Sequence, residues 1–121
     1  MQGGRVRLDG PISASATAWQ IADPGNGGAI SVVSNGVCAL TSTGAGQTRT
    51  IAIPTFIGQK ISIIHDTDGG DIAITAAAAI NQAGNTIMTL TEVNDSIILE
   101  AMTMGGALRW RVTHNDGVVL T

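Results

Sequence analysis

Apolar runs in this chain are short, and nearly every one is ended within about ten residues by glycine or by an Asn or Asp beside it, the punctuation of strands joined by tight turns. Val, Ile and Thr supply 37 of the 121 residues. Such β-branched side chains are stiff at χ1 and fit a pleated, half-buried surface better than a helix. Long helices carry abundant Lys and Glu on their wet faces, whereas only 12% of these residues are charged and Lys60 is the single lysine. The chain therefore reads as all-β, and its length is enough for one core.

Met1 to Thr17 has no sustained period and reads as an irregular N-terminal arm (1–17), followed by one β-sandwich domain (18–121). Trp19-Gln20-Ile21 is a first short strand, stopped by the Pro and Gly of the stretch from Asp23 to Gly28. Ile30 to Ser34 and Val37 to Ser42 flank Asn35-Gly36, the pair best suited to a type I′ turn, so a hairpin is predicted there. Further strands are predicted over Arg49 to Pro54, Lys60 to Asp66, Asp71 to Ala77, Thr86 to Thr91, Ser96 to Met102, Leu108 to His114 and Val118 to Thr121. In the Lys60 strand Ile61, Ile63 and His65 share one face; near the C-terminus Leu108, Trp110 and Val112 oppose Arg109, Arg111 and Thr113. The four alanines from Ala76 to Ala79 are too few to nucleate a helix. Roughly eight or nine short strands predict an antiparallel, jelly-roll-like sandwich. No internal repeat is visible.

Charge and cysteine usage narrow the partners. A net charge of −3 provides no basic field for nucleic acid phosphates or anionic lipid, so neither is expected. A lone cysteine, Cys38, excludes an internal disulfide framework, and no charged, then apolar, leader opens the chain; folding in a reducing cytoplasm is expected. No apolar stretch approaches the roughly 18 to 20 residues needed to span a bilayer. A surface poor in charge and rich in Thr, Ser, Ala and Asn costs little to desolvate against another protein, which favours assembly.

Chemistry-bearing patterns are few. Asp66, Asp68 and Asp71 cluster around Gly69-Gly70, but an EF-hand loop counted from Asp66 needs Glu where Ala77 stands, so a polar turn is expected and no metal. Gly44-Ala45-Gly46-Gln47-Thr48 lacks the third glycine and the helix of a phosphate loop. Cys38 beside Val37 and Leu40 reads as a small hydrophobe. His114 and Asp116 have no Gly-x-Ser-x-Gly elbow to complete a triad, and the sequon Asn94-Asp95-Ser96 reads as a turn. Arg109-Trp110-Arg111 combines aromatic and basic character, yet alternation turns Trp110 away from both arginines, into the core. No catalytic residue, cofactor site or enzyme activity is expected.

Several blocks together resemble the capsid decoration, or cement, proteins of tailed bacteriophages: Trp19-x-Ile21-Ala22-Asp23, Asn35-Gly36-Val37-Cys38-x-Leu40, Thr48-Arg49-Thr50 and Pro54-Thr55-Phe56-x-Gly58-Gln59. The likeness continues through Thr67-Asp68-Gly69-Gly70-Asp71, Ile80-Asn81-Gln82, Leu108-Arg109-Trp110-Arg111-Val112 and Asn115-Asp116-Gly117-Val118, and covers about residues 19 to 121. The resemblance implies a virion structural protein, made in the host cytoplasm, that sits on the outer capsid as a dimer or trimer and ties capsomers of the major capsid protein together. It carries no catalytic motif. In the arm, which lies outside the resemblance, Arg5 and Arg7 suit acidic patches on a neighbouring subunit or the shell, and Val6, Leu8 and Ile12 small apolar ones. A tail-fibre or head-fibre domain and a carbohydrate-binding module are the alternatives; fibres usually show a repeat, and sugar sites need exposed aromatic platforms.

Overall fold

The computed structural model describes residues 19–121, which form ten strands and no helix. These are β1 (Gln20–Ile21), β2 (Gly28–Ile30), β3 (Gly36–Thr41), β4 (Gln47–Ile51), β5 (Lys60–Thr67), β6 (Ile72–Ala76), β7 (Ile87–Leu90), β8 (Ser96–Met104), β9 (Ala107–Asp116) and β10 (Val119–Leu120). They make two five-stranded sheets, in the orders β1-β3-β5-β8-β9 and β10-β7-β6-β4-β2. The all-β sandwich expected from composition is present. Its pairing is mixed, and this corrects the antiparallel, jelly-roll expectation: β1/β3, β3/β5, β2/β4 and β4/β6 run parallel. The arm and its residues Arg5, Val6, Arg7, Leu8 and Ile12 lie outside the described residues.

The parallel pairs have a simple origin. Parallel neighbours cannot be joined by a tight hairpin and need a crossover. Here the crossover is a strand in the other sheet: β1 to β6 alternate between sheets, so every second strand returns beside the one before it. In β3/β5 Gly36 lies opposite Ile61, and in β4/β6 Gln47 lies opposite Ile72, so both pairs are offset by 25 residues. The chain therefore winds as stacked rungs, a structural repeat where the sequence shows none. The predicted Asn35-Gly36 hairpin is absent, because Ile30 and Val37 belong to different sheets.

From β7 onward pairing is antiparallel: β6/β7, β5/β8, β8/β9 and β7/β10. Met104 pairs with Ala107 across Gly105-Gly106, both at positive φ (58° and 82°), the backbone a two-residue type I′ hairpin requires. The core lies between the sheets. Alternation sends Ile61 and Ile63, Ile72 and Ile74, and Ile97 and Leu99 inward, each fully buried, and each such side chain contributes about 1.5 to 3 kcal/mol of burial. Trp110 is buried as expected and its Nε1–H donates to the Ala52 carbonyl at 2.8 Å, tying β9 to the loop that follows β4, while Arg109 and Arg111 stay partly exposed.

Strand direction defines two ends. Trp19, loops 31–35, 52–59 and 77–86, and the Gly105-Gly106 turn lie at one; loops 22–27, 42–46, 68–71, 91–95 and 117–118 lie at the other.

Candidate functional site

Three buried polar groups hold the rungs in register. In β4, Thr48 and Thr50 face solvent, and the same alternation puts Arg49 inward, where it is 1% exposed. Its guanidinium grips Asp23 of the β1–β2 loop through Nε–Oδ1 at 2.9 Å and Nη2–Oδ2 at 3.2 Å, and donates to the carbonyls of Thr48 and Thr41. Asp23 also accepts the backbone N–H groups of Gly25 and Thr41, both at 2.9 Å. Burial raises the Asp23 carboxyl, but the hydrogen bonds from Arg49, Thr41 and Gly25 and the Arg49 charge outweigh it and hold the group below its ordinary value. Three segments are thereby clipped together.

Ser42, His65 and Asp68 form the one triad-like group among the described residues. His65 Nε2 lies 3.0 Å from Ser42 Oγ and 3.7 Å from Asp68 Oδ1, so both partners approach the same ring nitrogen. A catalytic triad needs the carboxylate on the opposite nitrogen, yet Nδ1 here is buried without a partner. Ser42 Oγ accepts the Gly69 N–H at 2.9 Å and donates to the Gly70 carbonyl at 2.6 Å. With that proton committed, the ring must present Nε2–H to Ser42, and no base is left to activate the hydroxyl. The trio fastens the 68–71 turn to the end of β3.

At the other end Gln59, fully buried, accepts the Thr55 N–H at 2.8 Å and donates to the carbonyls of Val32 and Ser34 at 2.7 and 3.2 Å. The Trp110 bond to Ala52 anchors the same loop from the core side. Loops 31–35 and 52–59 are thus fixed against each other while their apolar side chains remain uncovered: Val33 is 78% exposed and Ile57 72%, with Ile53, Phe56, Trp19 and nearby Met102 also open to solvent. Cations flank this patch. Across the outer face Lys60, Glu100 and Arg111 lie in one row and Met102 and Arg109 in the next.

The other sequence candidates fall into place around these networks. Asp66, Asp68 and Asp71 are exposed around the predicted turn, and among the described residues no group of three or more His, Cys, Asp or Glu is placed to hold a metal ion. Gly44-Ala45-Gly46 joins β3 to β4 and precedes no helix. Cys38 is fully buried; burial, and next the Asp23 carboxylate, push its thiol up to about 11, so it is a poor nucleophile. His114 and Asp116 lie exposed on β9, and Asn94 lies in the β7–β8 loop, whose N–H groups at Thr91 and Glu92 are capped by Asp95. Trp110 offers no ring for stacking a sugar, leaving Trp19 and Phe56 as the exposed aromatics.

Arg49 and Gln59 stand in the sequence within the blocks Thr48-Arg49-Thr50 and Pro54-Thr55-Phe56-x-Gly58-Gln59, with no role attached to them or to the exposed loop residues. Alternation around Arg49 was the readable signal; Gln59 and the loops had none, since partners and cover come from distant segments. No known protein family matches the chain, and a search of curated protein sequences returns no match either.

Proposed function

We propose that this chain is a structural protein of a virus particle, a decoration or cement protein that binds the outer surface of a bacteriophage capsid, contacts the major capsid protein and forms a homo-oligomer. The observation that carries the reading is the pairing of rigidity with uncovered apolar surface: Gln59 and Trp110 fix loops 31–35 and 52–59, and those loops leave Val33, Ile53, Phe56 and Ile57 open to solvent. A contiguous apolar patch with a polar surround marks a protein contact, whereas the buried polar side chains are spent on holding loops. A fixed apolar surface suits repeated docking better than turnover.

A second reading, a tail-fibre or head-fibre domain, gains from the 25-residue rungs, because fibres are commonly built from stacked repeats. One experiment separates the two. Full-length protein is mixed with undecorated capsids of the parent virus, the shells are pelleted, and intact virions are labelled with gold-tagged antibody. Decoration gives saturable pelleting and label over the whole shell. Protein left in the supernatant at micromolar concentration, with label confined to tails or fibres, overturns decoration in favour of the fibre reading.

A further inference from the structure

The two ends of the sandwich carry opposite charge. Five exposed carboxylates, Asp66, Asp68, Asp71, Glu92 and Asp116, gather at the end formed by loops 68–71, 91–95 and 117–118. Among the described residues the one Lys or Arg at that end, Arg49, is buried and bound to Asp23. The opposite end holds the remaining described cations, Lys60, Arg109 and Arg111, with Glu100 as its single acidic side chain among the described residues, beside the uncovered Val33, Phe56 and Ile57. Both halves of a complementary contact are therefore present on one molecule.

We propose that the apolar, cationic end of one copy seats on the acidic end of a second, so that the protein associates head to tail. Like ends are poor partners: two acidic ends bring together ten exposed acidic side chains, and two apolar ends bring together six cationic side chains against two acidic ones. Opposite ends place Lys60 and Arg109 against Asp66 and Glu92, and the acidic end offers exposed Val93 and Ala45 as apolar ground for Ile57 and Phe56. Asp66 and Glu92 are neighbours there, since the Asn94 N–H donates to the His65 carbonyl at 2.8 Å. The contact is heterologous, one patch against a different one, so it closes into a ring or runs on as a chain according to the rotation between copies. The contact uses the same exposed loops, 31–35 and 52–59, that carry the capsid-binding reading, and it is separable from that reading because self-association is measured on the purified chain without capsids.

Sedimentation velocity on the purified full-length chain tests it. The expected result is a mass that rises with concentration in about 20 mM NaCl and an association weakened at least about tenfold in about 500 mM, where the screening length falls from roughly 20 Å to roughly 4 Å. Lys60→Glu/Arg109→Glu and Asp66→Lys/Glu92→Lys should each abolish self-association, and mixing the two variants should restore it as an alternating assembly of one-to-one composition. All four side chains lie on the surface, and the salt series on the unmodified chain needs no variant to fold. A monomer at about 0.5 mM in low salt, where even weak contacts with Kd in the high micromolar range would register, overturns the proposal. So does an association that survives Asp66→Lys/Glu92→Lys, as a contact between two apolar ends would.

Discussion

The rungs β3 to β6 and the hairpin β8–β9 solve the same problem, fixing strand register, by different means. In the hairpin, Gly105-Gly106 sets register locally: both residues take positive φ, Met104 meets Ala107, and pairing runs from there to Ile97 and Asn115 with one bulge. In the rungs no turn can do this, because consecutive strands lie in different sheets. Register there comes from long-range polar clips: Arg49 on Asp23, Ser42 on His65 and Gly70, Gln59 on Val32 and Ser34. Local turns cost little and tolerate change, whereas a buried clip is costly to break by halves, since the partner left behind is a buried polar group without a bond.

The largest effect is expected in the hairpin half. Trp110→Ala removes the largest core side chain and its bond to the Ala52 carbonyl, and should destabilise the protein by about 3 to 5 kcal/mol in a urea titration. A loss below about 1 kcal/mol would show that this half does not depend on core packing. Next comes the rung half. Asp23→Ala strands the Arg49 guanidinium in the core and should cost about 3 kcal/mol, and adding Arg49→Met should recover part of that loss, since an apolar pair of similar volume tolerates burial. If the double variant is no more stable than Asp23→Ala, the clip is not what holds β1, β3 and β4 together.

The same contrast explains what the sequence makes legible. Most strand positions, the inward Trp110, the in-phase Ile61, Ile63 and His65, and the turn at Asp68-Gly69-Gly70 depend on neighbours a few residues away and are readable, whereas the strands predicted over Ile30 to Ser34 and Arg49 to Pro54 lie instead at Gly28–Ile30 and Gln47–Ile51, because the apolar residues after them belong to exposed loops. Asn35-Gly36 shows the limit. It has the residues of a type I′ turn, but Asn35 is not at positive φ; its Oδ1 accepts the Lys60 N–H at 2.9 Å, and Gly36 leaves room for the Trp19 carbonyl, which would lie 2.5 Å from a Cβ at that position. The pair that would close a hairpin serves a crossover instead. The rung repeat is hidden for a related reason: Cys38 pairs with Ile63 and Arg49 with Ile74, so equivalent positions share direction but not chemistry. The uncovered patch depends on which loops meet, which no local pattern encodes.

The smallest predicted effect concerns acid, and it separates the rung clip from the general titration of surface carboxylates. Hydrogen bonds from Arg49, Thr41 and Gly25 hold the folded Asp23 carboxyl below its ordinary value of 3.8, despite the opposing effect of burial. A group depressed in the folded state binds fewer protons there than in the unfolded chain. Its contribution is complete above the unfolded value and is lost as pH falls through the folded one. The stability difference between the unmodified chain and Asp23→Asn should therefore stay constant from pH 7 down to about pH 5, then shrink progressively below about pH 4 as the carboxyl of the unmodified chain takes up its proton. Exposed carboxylates such as Asp66 and Glu92 are present in both proteins, so their titration cancels in the difference. Urea titrations of both proteins at matched ionic strength provide the measurement. A difference that shrinks already between pH 7 and pH 5, or that persists unchanged to pH 2, would show that Asp23 is not held ionised by the clip, and that the rungs owe their register to apolar packing instead.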